Sequence, residues 1–236
     1  MNSIKLIKGD CLEKMKEIED GSIDLVLIDP PYKTISGGNN AGLSYKHKGS
    51  ITEKNDGKIF EYNNIKIKEY IREVYRVLKD NSHCYIMTNT LNLYEMITEA
   101  NKVGFKLHNI LVWEKQNCTP NRWYMKNAEY TLFFRKGKAK PINNMGSKTV
   151  HQFKNPFGEK IHPTEKPIEL MEFYIKNSSK EGDIVLDCFS GSCSTGIACI
   201  NTNRNFIGIE KDGKYFDVGV NRVKENIKEN YILEVR

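Results

Sequence analysis

Two short stretches of this chain carry residue types that can do chemistry. The first, Asp29-Pro30-Pro31-Tyr32, closes the aliphatic run Ile23–Ile28. Pro30 and Pro31 have no amide hydrogen and a fixed φ, so a strand ending there leaves its sheet stiffly. The Asp29 carboxylate and the Pro30 carbonyl become two acceptors above the strand, and Tyr32 adds a flat face for stacking. Two acceptors beside a stacking face suit an exocyclic amine on a nucleobase turned out of its helix. A strand-ending turn with a buried tyrosine is the plainer reading. The second stretch is Asp187-Cys188-Phe189-Ser190-Gly191-Ser192-Cys193-Ser194-Thr195-Gly196, between the apolar run Ile184–Leu186 and a helical pattern. Gly191 lets a ligand approach the backbone, and Ser192 is small. Glu210 ends the next apolar run, where an acid can accept hydrogen bonds from a ribose. An ordinary strand–turn–helix corner with a capping serine accounts for the same spacing. Neither GxGxxG nor GxxxxGK[ST] occurs, which leaves dinucleotide and P-loop readings without support.

These stretches need strands and helices to place them. Ser3–Lys8 alternates like a strand, Cys11–Ile18 reads as a short helix, and Ile23–Ile28 as a buried strand. Residues 33–64 are rich in Gly, Asn, Lys and Ser without a period, and a loop of that length is usually functional or disordered. Ile67, Tyr70, Ile71, Val74, Val77 and Leu78 recur at helical spacing, and Asp80-Asn81-Ser82 breaks that pattern. A strand over His83–Thr88, a helix over Leu91–Val103 stopped by Gly104, and strands over Phe105–Trp113 and Glu129–Phe134 follow. Pro167 opens a helical pattern running to Ile175. Strand Ile184–Leu186, helix Ser194–Ile200, strand Phe206–Ile209 and a last helix through Phe216, Val220, Val223 and Ile227 complete the chain. The alternation predicts an α/β fold, a mostly parallel sheet with helices on both faces, whose ligands sit beyond the carboxyl ends of the strands.

Composition bounds the rest. The chain of 236 residues is 39% hydrophobic and 28% charged, enough for one well-buried domain over 1–236. No apolar run reaches a membrane span, the N-terminus lacks a signal-peptide pattern, and the six cysteines form no CxxC pair. They read as reduced thiols of a cytoplasmic protein with no metal site. The net charge of +6 is concentrated: Arg135, Lys136, Lys138, Lys140, Lys148, Lys154, Lys160 and Lys166 share a stretch whose only acids are Glu159 and Glu165. On its own that stretch is a solvated loop. Beside an active site it becomes a phosphate-facing flank.

Taken together, the motifs resemble those of S-adenosyl-L-methionine-dependent DNA amino-methyltransferases. Asp29-Pro30-Pro31-Tyr32 matches their catalytic motif in the form most typical of N6-adenine enzymes. Phe189-Ser190-Gly191-Ser192-Cys193 resembles their F-x-G-x-G cofactor motif, with Cys193 in place of the last glycine. His162-Pro163-Thr164-Glu165-Lys166-Pro167 resembles the H-P-T-x-K-P stretch that helps to hold the cofactor, and Gly9-Asp10-Cys11 an N-terminal motif whose acid lies near its adenine. The catalytic motif precedes the cofactor motif, as in the permuted β group, and the small size resembles phage-type and orphan members. The resemblance covers nearly the whole chain. It implies a Rossmann-like sheet of seven strands, one antiparallel, closed by Phe105–Trp113 and Glu129–Phe134. It also implies a cofactor seat of Asp10, Cys11, Asp29, Thr164, Lys166, Pro167, Asp187, Phe189, Ser190, Gly191, Ser192 and Glu210, and catalysis by Asp29, Pro30, Pro31 and Tyr32.

Roughly twenty residues, 138–160, stand where the family keeps its recognition region, too few for a separate domain. Base reading is then shared among 33–64, 116–127 and 138–160. Asn121, Arg122 and Trp123 combine hydrogen bonding, charge and stacking, and Lys138, Lys140, Lys148 and Lys154 suit phosphates. A structural hairpin tip is an equal account of 121–124. DNA is the expected partner, with a homodimer and a cognate restriction endonuclease left open and no membrane. N4-cytosine transfer, an RNA or protein amino-methyltransferase, and a degenerate DNA-binding copy stand as alternatives. A C5-cytosine enzyme would need a Pro-Cys pair, and no proline here precedes a cysteine.

Overall fold

In a computed structural model of the chain, residues 1–31, 65–119, 124–154 and 166–236 are described. Nine strands form one sheet in the order β6-β4-β5-β3-β2-β7-β8-β1-β9. In chain order the elements are β1 (Asn2–Lys8), α1 (Cys11–Lys14) continued by a tighter turn over Met15–Glu17, and β2 (Ile23–Ile28). Then come α2 (Ile67–Val77), β3 (Leu78–Thr88), α3 (Leu93–Val103), β4 (Lys106–Thr119), β5 (Lys126–Arg135) and β6 (Val150–Gln152). The remainder is α4 (Ile168–Ser178), β7 (Ile184–Asp187), α5 (Ser194–Asn201), β8 (Asn205–Glu210), α6 (Gly213–Asn226) and β9 (Tyr231–Val235). No helix among the described residues is long and apolar enough to cross a membrane.

The period of two along each strand sorts side chains to two faces. Leu25, Leu27, Tyr85 and Phe133 pack with Leu170, Tyr174, Ile197 and Val220 of α4, α5 and α6. Val26, Ile28, Cys84 and Ile86 pack with Tyr70, Val74, Met96 and Ala100 of α2 and α3. Each inner strand is therefore covered on both sides, which is why Leu25–Ile28 of β2 and Ile184–Leu186 of β7 read as aliphatic runs.

Among the described strands, only β5 runs against its neighbours, antiparallel to both β3 and β4, as expected. The strand count differs from the expected seven because two edge strands add to the sheet. β6 lies parallel to β4 with Val112 opposite Val150, and β9 lies parallel to β1 with Asn2 opposite Tyr231. β3 begins at Leu78, before the apparent breaker Asp80-Asn81-Ser82, where Asn81 takes φ 60. The β4–β5 hairpin is longer than its hydrophobic pattern and carries the pairing out to Thr119 opposite Lys126.

The strand order reverses between β2 and β7. From β2 the chain goes by α2 to β3 on one side, and from β7 by α5 to β8 on the other. The two helices lie on opposite faces, and a crevice opens beyond the two strand ends.

Candidate active site

Four neighbouring strands, β2, β7, β8 and β1, each lead into an acid at their carboxyl ends: Asp29, Asp187, Glu210 and Asp10. Asp187 is buried. Its Oδ1 accepts from Phe189 N at 3.0 Å and its Oδ2 from Thr195 Oγ1 at 2.7 Å. Desolvation pushes its carboxyl up to about 7, against those two hydrogen bonds and with the help of the negative charges of Asp29 and Glu210. Glu210 accepts from Gly191 N and Asp212 N, both at 2.8 Å, and burial raises it above the usual carboxylate range. Asp10 caps α1 through Leu12 N at 2.9 Å and pairs with Lys211 at 2.9 Å. Desolvation works against its charge, but those two partners outweigh it and hold the carboxyl low.

The turn from β7 into α5 is tied to this row of acids. Gly191 takes φ 48 and Cys193 takes φ 66, ψ 34, both left-handed. Cys193 stands where the family motif has its last glycine, and the backbone there adopts the geometry for which glycine is preferred. Its side chain is buried, and a Cβ added at Gly196 would fall 2.3 Å from its sulfur. Gly196 and Gly219 thus leave the room that the substituted thiol fills. Arg222 of α6 donates to Ser192 O at 2.8 Å and to Ser192 Oγ at 3.1 Å, bracing the turn from behind. Phe189 meets the edge of Tyr70 at 5.1 Å between ring centres, while Ser190 is buried.

Asp29 follows Ile28 without a break, and Pro30 is buried behind it. Its Oδ2 accepts from Lys166 Nζ, just ahead of α4. Its Oδ1 is buried and has no hydrogen-bond partner among the described residues. A buried acceptor without a donor is costly, about 1–3 kcal/mol, and marks a place for a donor from elsewhere. Desolvation raises the Asp29 carboxyl, Lys166 pulls it down, and the balance stays above the usual value. Lys166 Nζ also stands 3.5 Å from Glu129 Oε2, and the other Glu129 oxygen pairs with Lys115.

The expected residues therefore fall into three groups. Asp10, Asp29, Pro30, Pro31, Lys166, Pro167, Asp187, Phe189, Ser190, Gly191, Ser192 and Glu210 lie at the carboxyl edge or in the turns and helix starts beside it. Cys11 turns inward; it is 6% exposed and belongs to the core below α1, where burial pushes its thiol up to about 12. Tyr32, Thr164, Asn121, Arg122, Trp123 and the loop 33–64 lie outside the described residues.

The four basic-stretch lysines are all exposed but separate along the strand axis. Lys138 donates its N–H to Asn81 Oδ1 at 2.8 Å, and Lys140 O bonds His83 Nε2 at 3.0 Å. Both sit at the amino end of the parallel strands. Pairing puts Asp29 level with Thr131, so Lys138 lies about 20 Å away along the strand direction. Lys148 leads into edge strand β6, and Lys154 follows its carboxyl end, at the same end as Asp29. Glu129, Lys115 and Arg222 are functional candidates that no motif contained. The one sequence signal for Glu129 is an acid at the head of the largely apolar run Glu129–Phe134.

A row of desolvated carboxylates beside a left-handed turn suits a ligand that carries positive charge and hydroxyl donors. S-adenosyl-L-methionine, with its sulfonium, ammonium and ribose, is such a ligand. The N6/N4 methyltransferase family model, described as DNA methylase, matches residues 23–221. The chain is 29% identical over 256 residues to the type II methyltransferase M2.MboI of Moraxella bovis, covering 94% of this chain and 88% of that one. It is 29% identical over 249 residues to M.HinfI of Haemophilus influenzae, covering 95% and 69%. The solved M1.HpyAVI–SAM complex is similar with a TM-score of 0.73 at 25% identity, covering 93% of this chain and 98% of that one. The cytosine-N4-specific PvuII methyltransferase shares the fold, with a TM-score of 0.72 at 19% identity over 98% of this chain and 88% of that one. The family match spans both the Asp29 turn and the Asp187–Cys193 turn, and the chain belongs to the N6/N4 DNA methylases, which are S-adenosylmethionine-dependent DNA methyltransferases.

Proposed function

We propose that this chain is one catalytic domain that methylates the N6 amine of adenine at a specific site in DNA. The observation that carries the reading is the buried Oδ1 of Asp29, which has no donor among the described residues and follows β2 at the strand switch point. The adenine amine is a poor nucleophile because its lone pair is delocalised into the ring. Asp29 and the Pro30 carbonyl, accepting its two hydrogens, favour a pyramidal nitrogen whose lone pair is free to attack. The Asp29 charge also stabilises the amine as it turns cationic. S-adenosyl-L-methionine, when bound, supplies a methyl group on a positively charged sulfur. Asp187, Glu210 and the Gly191 turn hold it, and Asp10, Phe189, Ser190 and Ser192 close the seat. Holding both reactants in line supplies much of the acceleration. Tyr32 stacks the extruded base, and Asn121, Arg122, Trp123 and Lys154 contact DNA around it.

The experiment is methyl transfer from labelled S-adenosyl-L-methionine to duplex DNA, followed by mass spectrometry of the digested nucleosides. N6-methyladenine is the expected product. N4-methylcytosine would overturn the base assignment, and label in RNA or protein but not DNA would overturn the substrate. A second copy of this chain and a cognate endonuclease are further candidate partners, read by sedimentation and by affinity capture with the purified nuclease. Fractionation of expressing cells tests the cytoplasmic location.

A further inference from the structure

A charged chain reaches the Asp29 turn from two neighbouring strands outside every motif. Lys115 on β4 pairs with Glu129 on β5, Glu129 reaches Lys166 ahead of α4, and Lys166 pairs with Asp29 after β2. The fold places the chain by register. Trp113 is opposite Glu129, and Lys115 lies on the same face, its Nζ 5.2 Å from the Trp113 ring centre. That face of β5 also carries Thr131, which receives the Tyr174 hydroxyl of α4 at 3.3 Å, so Lys166 at the head of α4 stands over Glu129. The Lys166 side chain is 8% exposed, Lys115 and Glu129 about a quarter. Two carboxylates and two ammonium groups sum to zero, the condition under which a partly buried set of charges is tolerated.

We propose that Glu129 and Lys115 are positioning residues for the methyl transfer, which through Lys166 fix the Asp29 carboxylate with Oδ2 occupied and Oδ1 open to the amine. The proposal rests on the amino-transfer reading above. Glu129 competes with Asp29 for Lys166, and Lys115 limits that competition by drawing Glu129 the other way. Lys166 thereby shields Asp29 only in part, leaving it charged enough to stabilise the cationic amine. Among the described residues, the charged groups that face Asp29 include Lys166 ahead of α4, Glu129 on β5, Lys115 on β4 and Asp187 on β7.

Glu129 and Lys115 have opposite effects on Asp29, and this gives a test that a purely structural role fails. In Glu129→Gln, Lys166 no longer shares its charge with Glu129, so the Asp29 carboxyl ionises more readily. The acid limb of the kcat–pH profile moves about tenfold in proton concentration toward lower pH, matching a tenfold change in the ionised-to-protonated ratio. In Lys115→Met, Glu129 draws Lys166 away and Asp29 loses its cation, so the limb moves to higher pH. Glu129→Asp, which keeps the charge, keeps the wild-type limb. In Glu129→Gln kcat falls about tenfold while KM for DNA stays within about twofold. Shifts of the same sign, or none, in active enzyme overturn the network. Wild-type protein that transfers nothing to DNA overturns the amino-transfer reading instead. In that case carbon-13 titration of the Asp29 carboxyl, assigned with Asp29→Asn, still decides the network in the same proteins. Opposite shifts in Glu129→Gln and Lys115→Met support it, and equal shifts overturn it.

Discussion

Asp187 offers the sharpest test of whether the cofactor seat is built at the expense of stability. In the folded protein its carboxyl is pushed from 3.8 to about 7 by burial. The folded state therefore holds a proton between about pH 4 and 7 that the unfolded chain has released. Stability from this group is complete below pH 4, declines as pH rises, and is lost above pH 7. A carboxyl raised that far carries a penalty of at most about 4 kcal/mol for its charged form. Substitution of Asp187 by Asn removes the charge. Its Oδ1 still accepts from Phe189 N, and its amide can donate to the Thr195 hydroxyl. The variant should therefore be more stable than wild type at pH 8, by about 1–4 kcal/mol, or about 2–4 °C in Tm for each kcal/mol. At pH 4.5 the gain should shrink to less than about 1 kcal/mol. Urea unfolding of both proteins at the two pH values measures the difference. Calorimetry on the same samples should show S-adenosyl-L-methionine binding weakened at least tenfold. A variant no more stable than wild type at pH 8, or equally stabilised at both pH values, would refute the argument that a desolvated carboxylate is kept here for the ligand.

Asp29→Ala should reduce transfer to less than about a tenth of wild type, with an unchanged circular dichroism spectrum, in the labelled-methyl assay. Cys193→Ala keeps the left-handed residue but loses the buried sulfur, and should unfold at lower urea by about 1 kcal/mol. Cys193→Gly also relieves the left-handed strain, about 1–2 kcal/mol, and should lie within about 1 kcal/mol of wild type. Among the lysines, Lys154→Gln should make the slope of log DNA affinity against log salt shallower by about 0.9, one phosphate contact. The double variant of Lys138 and Lys140, at the far end of the sheet, should leave that slope unchanged.

The inner strands were legible because burial on both faces demands aliphatic runs, as in Ile23–Ile28 and Ile184–Leu186. The edge strands were not. Val150–Gln152 is three residues in a polar stretch, and Tyr231–Val235 has a single partner, so neither needs a strong hydrophobic pattern. The early start of β3 was hidden by Asp80 and Asn81, which are exposed at the amino end of the sheet and face Lys136 and the Lys138 amide. Asp29, Asp187 and Glu210 were visible singly, as acids that end apolar runs, and Asp10 only through its motif resemblance. The lateral order of the row was not, because it depends on which strands become neighbours. Lys166 was read as part of a cofactor motif, yet its ion pair joins it to Asp29 across 137 positions, a contact that no local spacing encodes. The same limit applies to Glu129 and Lys115. The basic stretch shows the converse failure: charge density along the chain was evident, but the chain crosses from one end of the sheet to the other within it.

The seam between β2 and β7 also governs when the protein can become active during synthesis. Leu25 pairs with Val185, and β1, ahead of β2 in the chain, pairs with β8 and β9, which follow β7. A nascent chain can join β2 to β3 and lay α2 and α3 over them, but one side of β2 stays open until β7 emerges. Such long-range pairings are slow to close. Until residues 184–210 have left the ribosome, the acceptor turn has no cofactor beside it. A nascent chain that has not yet exposed β7 and β8 is thus chemically silent.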